Sequence, residues 1–142
     1  MINKLSASSF LDTPTRARKM FAKEKKINID KFKSDHSFEK RKDESFRILQ
    51  EYPNRIPIIC ERINNQIPEL SRKKYLVPDD LIMSNFMFVI RKRLTLAPEV
   101  SIYLFVNKKI VPSSMVMGDI YNKYKSEDGF LYIHYSGEST FG

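Results

Sequence analysis

Three side chains and one terminus carry the obvious chemistry of this chain: Cys60, His36, His134 and the carboxyl of Gly142. A cysteine thiolate can serve as nucleophile or zinc ligand, and an imidazole as base or ligand. Cys60 stands inside an apolar run with no histidine near it in sequence, which reads as a buried strand cysteine rather than a nucleophile. One cysteine allows no internal disulfide and no cysteine-based zinc cluster, and it suits a reducing compartment. His36 and His134 are isolated imidazoles, too few for a metal site on sequence grounds, so neither metal nor cofactor is expected. Gly118, Gly129, Gly137 and Gly142 are scattered and form no glycine-rich phosphate loop. The chain reads as no enzyme, and a terminal glycine taken alone says little.

The charge is uneven. The 142 residues carry 25 Lys and Arg against 17 Asp and Glu, a net charge of +8. Residues 1–31 hold eight bases and three acids, net +5, which leaves only +3 on the other 111. That first segment lacks glycine, tyrosine and sustained apolar periodicity, and reads as a basic, flexible extension. Its middle, residues 14–26, reads as a short helix with Asp12 or Thr13 as cap and Pro14 in the first turn. A basic arm for an anionic membrane or for nucleic acid is the rival reading. Apolar residues make up 42% of the chain, enough for a core. Runs such as FMFVI (86–90) stop at five residues, far short of the roughly 20 that a membrane span requires. No signal-peptide pattern is visible.

The elements follow from periodicity and punctuation. Residues 38–52 form a charged helical stretch that must stop at Pro53. RIPIICERI (55–63) is β-like, with Ile56, Ile58 and Cys60 on one face and Pro57 and Ile59 on the other. Its proline makes it either an edge strand or one whose second face meets a helix. KKYLV (73–77) is a second strand, forming a hairpin with the first and ended by Pro78. Pro78-Asp79-Asp80 starts a helix over 81–94, with Ile82, Phe86, Val89, Ile90 and Leu94 on one stripe and Arg91, Lys92 and Arg93 near its end. SIYLFV (101–106) is a strand, and Asn107 to Lys109 turns into a brief strand at Ile110 and Val111. Ser113 and Ser114 cap a helix over 115–124, in which Met115, Ile120 and Tyr124 face a core. Asp128-Gly129 turns into a strand over 130–135, and residues 136–142 look unpacked. The order helix, β-β-α-β-β-α-β is α+β. A sheet wrapping one main helix is the β-grasp arrangement, but strand order does not follow from these signals, and the fold name needs more.

FEKRKDES (38–45), YPNRIP (52–57), KYLVPDDL (74–81), FVIRKR (88–93), DGFLY (128–132) and YSGESTFG (135–142) occur in that order. Together they closely resemble the autophagy-related ubiquitin-like modifiers, the family of yeast autophagy-related protein 8 and mammalian GABARAP. The resemblance covers residues 32–142 and implies a ubiquitin-like β-grasp with additional N-terminal helices: a helical part over 32–52, a β-grasp over 55–135 and a flexible tail over 136–142. The turn at Asn64, Asn65 and Gln66 is a residue shorter than in common relatives. The resemblance implies that Gly142, encoded last or exposed by a processing cysteine protease, is activated with ATP and passed to a carrier cysteine. From there it is joined to the amine of phosphatidylethanolamine. A terminal glycine suits this route, because it threads narrow catalytic channels without a Cβ to clash.

The resemblance also implies a docking site for aromatic-x-x-aliphatic peptides of cargo receptors, which add as a strand beside residues 74–77. A first pocket would involve Glu44, Ile48, Pro57, Ile59, Lys74, Leu76 and Phe130. A second would involve Tyr75, Val77, Pro78, Leu81, Phe86, Val89 and Arg93. Arg55 and Lys73 would form, with Lys74 and Arg93, an electrostatic rim for acidic flanks. Cys60, Ile90 and Leu131 read as ordinary core.

Expected partners are therefore motif peptides, activating, carrier and processing or deconjugating cysteine enzymes, and phosphatidylethanolamine membranes after conjugation. The expected state before conjugation is a monomer, and the expected location is cytoplasm and autophagosomal membrane, extending to vacuole or lysosome. The alternative is a non-conjugated ubiquitin-like adaptor in vesicle trafficking or cytoskeleton binding. Nucleic acid is disfavoured, because no strand interleaves aromatic and basic residues. No aromatic-x-x-aliphatic motif in the extension would fill the groove, since Phe10 is followed at the third place by Thr13 and Phe21 by Glu24.

Overall fold

The structure is a computed structural model, and it describes residues 27–141. The helix expected over residues 14–26 and the terminal Gly142 lie outside the described residues. In chain order the elements are α1 (Lys31–Asp35), α2 (Phe38–Glu51), β1 (Arg55–Arg62), β2 (Lys74–Pro78), α3 (Met83–Leu94), β3 (Tyr103–Val106), β4 (Lys109–Ile110), α4 (Met117–Tyr124) and β5 (Leu131–Ser136). The sheet runs β2-β1-β5-β3-β4. Only β1 and β5 are parallel, in the centre; the other pairs are antiparallel.

Ser37 starts α2 by accepting a hydrogen bond from the Lys40 amide on its hydroxyl. The helix ends at Glu51, one residue before Tyr52-Pro53, as the proline dictates. β1 alternates as its sequence implies. Ile56, Ile58 and Cys60 join the main core with Phe86, Ile90, Leu104, Met117, Ile120, Leu131, Ile133 and Tyr135. On the other face Ile59 packs with Phe32 and Phe130, beneath Ile48 of α2. β1 is thus an inner strand whose second face meets a helix, and the edge-strand alternative is wrong. Pro57 is tolerated there because pairing with β5 begins only at Ile58, so its missing N–H faces no parallel partner.

Both remaining helices start two residues later than their sequence signals suggest. Ile82 and Val116 form an isolated antiparallel bridge. The amides of Met83 and Met117 donate to the carbonyls of Met115 and Leu81. The residues before each helix are held extended by this pairing, so α3 and α4 begin at Met83 and Met117 with no side-chain cap. Each start is instead held by the other's lead-in: the Ser113 carbonyl accepts from the Ser84 amide, and the Asp79 carbonyl from the Gly118 amide. On α3 the buried stripe is Met83, Phe86, Ile90 and Leu94, whereas Val89 is more than a third exposed. The β3–β4 hairpin turns through Asn107 and Lys108, both at positive φ, the geometry of a tight turn that suits strand twist.

Two polar ties fix the outer segments. Tyr135 donates its hydroxyl hydrogen to the Pro68 carbonyl and accepts from the Leu70 amide, pinning the long β1–β2 loop. Asp128, fully buried, receives Arg41 of α2, the Tyr132 hydroxyl and the Phe130 amide. The adjoining Gly129 has a φ of +91° and lies so close to Ser45 that a Cβ there would sit 2.2 Å from its Oγ. Only glycine fits that turn.

The segment after Tyr135 is more engaged than its composition suggests. β5 continues through the buried Ser136, Glu138 accepts from Gln66, and the Phe141 ring lies edge-on to Phe105. At the other end, Ile29 and Asp30 contact His134, on the extension side of the boundary read at residues 31 and 32.

Candidate functional site

β2 is one of the two edge strands of the sheet, longer than the two-residue β4 at the other end, and it pairs only with β1, so its far edge presents unpaired backbone among the described residues. Such an edge accepts a further strand unless something blunts it. Register decides which side chains flank the edge. Tyr75 and Val77 stand opposite Ile58 and Ile56 and lean to the α3 side, while Lys74 and Leu76 stand opposite Ile59 and Pro57 and lean to the α2 side. An added strand would therefore meet two sets of side chains, one on each face of β2.

On the α2 side the structure brings together most residues expected of a first pocket. Ile59 and Phe130 are almost wholly buried and form the floor with Phe32, and Ile48 is half-buried against them. Lys74 Nζ lies 2.7 Å from Glu44 Oε2 and 5.4 Å above the Phe32 ring. Leu76 is half-buried beside Pro57. Phe32 has no sequence signal of its own, being a lone aromatic in a polar stretch, and it is the member that sequence reasoning missed.

On the α3 side Tyr75 packs edge-on to Phe86 at 5.7 Å, and the Arg93 guanidinium lies 5.7 Å over the Tyr75 ring. Val77 and Leu81 are half-buried against the same core, and Pro78 and Val89 are exposed at its rim. Burial pushes the Tyr75 phenol up, and its buried hydroxyl has no hydrogen-bond partner. That leaves a donor free under the second set.

The basic rim divides. Arg55 is exposed at the start of β1, but Lys73 is turned to the α2 face, 3.3 Å from Glu61 Oε2. Both Lys73 and Lys74 are thus paired with a carboxylate, but Lys74 is the more exposed of the two. Cys60 is fully buried and its thiol is pushed well up by burial, so it behaves as core rather than nucleophile. The Phe141 end of the chain lies over β3 and β5, on the far side of β1 from the free edge. The groove and the Phe141 ring occupy separate parts of the molecule.

This combination of mixed sheet, wrapped helix and added N-terminal helices defines a ubiquitin-like protein. The description "Autophagy protein Atg8 ubiquitin like" belongs to the family model that matches residues 40–142. Autophagy-related protein 8 of Mycosarcoma maydis is 54% identical over 112 residues, covering 78% of this chain and 95% of that protein. The Schizosaccharomyces pombe protein of the same name is also 54% identical over 112 residues, covering 78% and 93%. The crystal structure of Trypanosoma brucei ATG8 superposes with a TM-score of 0.74 at 47% identity, covering 81% of this chain and 100% of that one. Plasmodium falciparum Atg8 in complex with a Plasmodium falciparum Atg3 peptide gives 0.73 at 38% identity, covering 78% and 98%. The chain belongs to the Atg8 family of ubiquitin-like autophagy proteins.

Proposed function

We propose that this chain is a modifier joined through Gly142 to phosphatidylethanolamine on autophagic membranes, where it recruits cargo receptors and autophagy machinery by their aromatic-x-x-aliphatic motifs. The observation that carries the docking half is the free β2 edge, with separate apolar sets on its two faces. Main-chain hydrogen bonds along Lys74–Pro78 hold the peptide, the aromatic residue enters beside Ile48, Leu76 and Phe130, and the aliphatic one beside Tyr75, Val77 and Leu81. Lys74, Arg55 and Arg93 favour acidic flanks and chiefly raise the association rate.

The conjugation half rests on family membership and on the YSGESTFG ending. In the proposed transfer the lipid amine attacks the thioester carbonyl of Gly142, the carrier thiolate leaves, and an amide forms. The chain is then a substrate of activating, carrier and processing enzymes rather than an enzyme. The Atg3 peptide in complex with the Plasmodium relative supports a conjugation enzyme as one partner. Two acyl chains meet the requirement for stable anchoring, at about 0.8 kcal/mol per buried methylene. The proposed sites of action are the cytoplasm and autophagosomal membranes, with delivery to vacuole or lysosome.

The test is reconstitution of the chain with its activating and carrier enzymes, ATP and vesicles containing phosphatidylethanolamine. A lipid-dependent shift in mass, abolished by Gly142→Ala, is the expected result. Conjugation that survives Gly142→Ala refutes the role of Gly142, and no shift at all points to the non-conjugated adaptor.

A further inference from the structure

Three residues far apart in sequence bring a nitrogen and two carboxylates to one spot beneath α1. One ligand atom each from Asp30, Glu61 and His134 lies within 4.8 Å of the others. His134, at the centre of β5, points Nε2 at Asp30 Oδ1 (3.2 Å) and at the Ile29 carbonyl (3.0 Å). Glu61, near the end of β1, is 5% exposed; its Oε2 accepts from the Phe32 amide and from Lys73, while Oε1 is buried with no hydrogen-bond partner. A buried carboxylate oxygen left without a partner is costly, and it calls for a ligand.

We propose that Asp30, Glu61 and His134 bind a single Zn2+ ion, which ties the chain just ahead of α1 to the centre of the sheet. The donor set decides the metal class. One imidazole nitrogen with two carboxylates suits zinc and similar borderline cations, whereas Mg2+ demands oxygen and retains its waters. Zn–N and Zn–O bonds of about 2.0–2.2 Å place tetrahedral ligands about 3.4 Å apart. The Asp30–His134 pair already stands near that spacing, so only the Glu61 side needs to close. The Ile29 carbonyl or a water supplies a fourth position. Because Nε2 meets a carbonyl, an acceptor only, it carries a hydrogen in the metal-free form; coordination moves that hydrogen to Nδ1 or to solvent.

Opposing charges are present. Lys73 Nζ, 3.3 Å from Glu61 Oε2, competes directly for the carboxylate. Lys33, Lys108, Lys123 and Lys125 line the outer cleft next to Asp30 and His134. These outer ammonium groups reach solvent, where salt screens them over about 8 Å, whereas the metal bonds are shorter than 3 Å. Asp30, partly exposed, gives the ion its way in.

Calorimetric titration of the full chain with ZnCl2, repeated with Co2+ to read its ligand-field bands, tests the site. The expected result is one ion per chain, Mg2+ failing to compete. His134→Gln and Glu61→Gln should each weaken binding by about tenfold or more. His36→Ala should leave it unchanged, and Lys73→Met should tighten it by removing the competing cation. The 15N resonance of His134 Nε2 in the unmodified chain should shift strongly on adding Zn2+, a readout independent of whether the variants fold. No saturable binding, an unmoved His134 resonance, or binding lost with His36 instead would overturn the proposal.

Discussion

Arg41 Nη1 donates to Asp128 Oδ2 across 87 positions of sequence, joining the exposed helix α2 to the turn that launches β5. Asp128 is completely buried, and its partner is 12% exposed. The same carboxylate holds the Tyr132 hydroxyl and the Phe130 amide, and the Asp128 carbonyl takes the Ser45 hydroxyl. The wall of the first apolar set thus hangs on one buried charge. α2 contributes Glu44 and Ile48 to that set, and β5 is preceded by its floor residue Phe130.

Asp128→Ala should therefore destabilise the domain by about 3–5 kcal/mol, the usual cost of stranding one partner of a buried ion pair. Urea denaturation measures it. A loss below about 1 kcal/mol would show that Arg41 and Tyr132 find other partners.

Replacing Tyr75 and Leu76 together by alanine should abolish capture of aromatic-x-x-aliphatic peptides while far-UV circular dichroism stays unchanged. Each side chain serves a different face of β2, so the single variants should each lose part of the affinity. Fluorescence anisotropy with a labelled peptide reads the outcome, and undiminished binding by the double variant would remove the groove from β2.

Lys74 is half-exposed and paired with Glu44. Lys74→Ala removes a positive charge and uncovers a negative one, so association with acidic-flanked peptides should slow by up to about tenfold and lose salt dependence. Glu44→Gln should do the opposite. Stopped-flow mixing at two ionic strengths separates these from changes in dissociation.

Burial raises the Cys60 thiol well above its ordinary range and pushes the Tyr135 phenol up to about 12. In the unfolded chain a cysteine ionises near pH 8.5 and a tyrosine near pH 10. Above pH 8.5 the unfolded state sheds a proton that the folded state keeps, so stability falls as pH rises. The slope from Cys60 is at most about 1.4 kcal/mol per pH unit, joined by the tyrosine above pH 10. Cys60→Ala should flatten the decline between pH 8.5 and 10 in urea midpoints, although its absolute stability is lower. An unchanged slope would contradict the burial of the thiol's charge.

Local pattern made most elements readable. The alternation of Ile56, Ile58 and Cys60 against Pro57 and Ile59, the Tyr52-Pro53 stop and the Asp128-Gly129 turn all act within a few residues, so they are visible one stretch at a time. Helix starts are less readable, because a distant bridge between Ile82 and Val116 keeps the residues before α3 and α4 extended. The inner position of β1 does not follow from its sequence, because Pro57 looks the same whether a parallel neighbour begins one residue later or is absent. For the groove, the residues of both apolar sets came from a resemblance, whereas the free edge beside them came from sheet order. Lys73 illustrates the limit, since its pairing with Glu61 lies outside its own stretch of sequence.

By itself the sequence determined most element types, the concentration of positive charge in residues 1–31 and the family. Each rests on spacing within a short window or on motifs held in order. The tertiary structure alone decided that β2 lies at an edge of the sheet, that Phe32 floors the first set, and that His134 meets Asp30 across 104 positions. Those facts depend on which strands become neighbours. Strand neighbours are chosen by the packing of the whole core, in which every residue's partner lies outside its own stretch of chain.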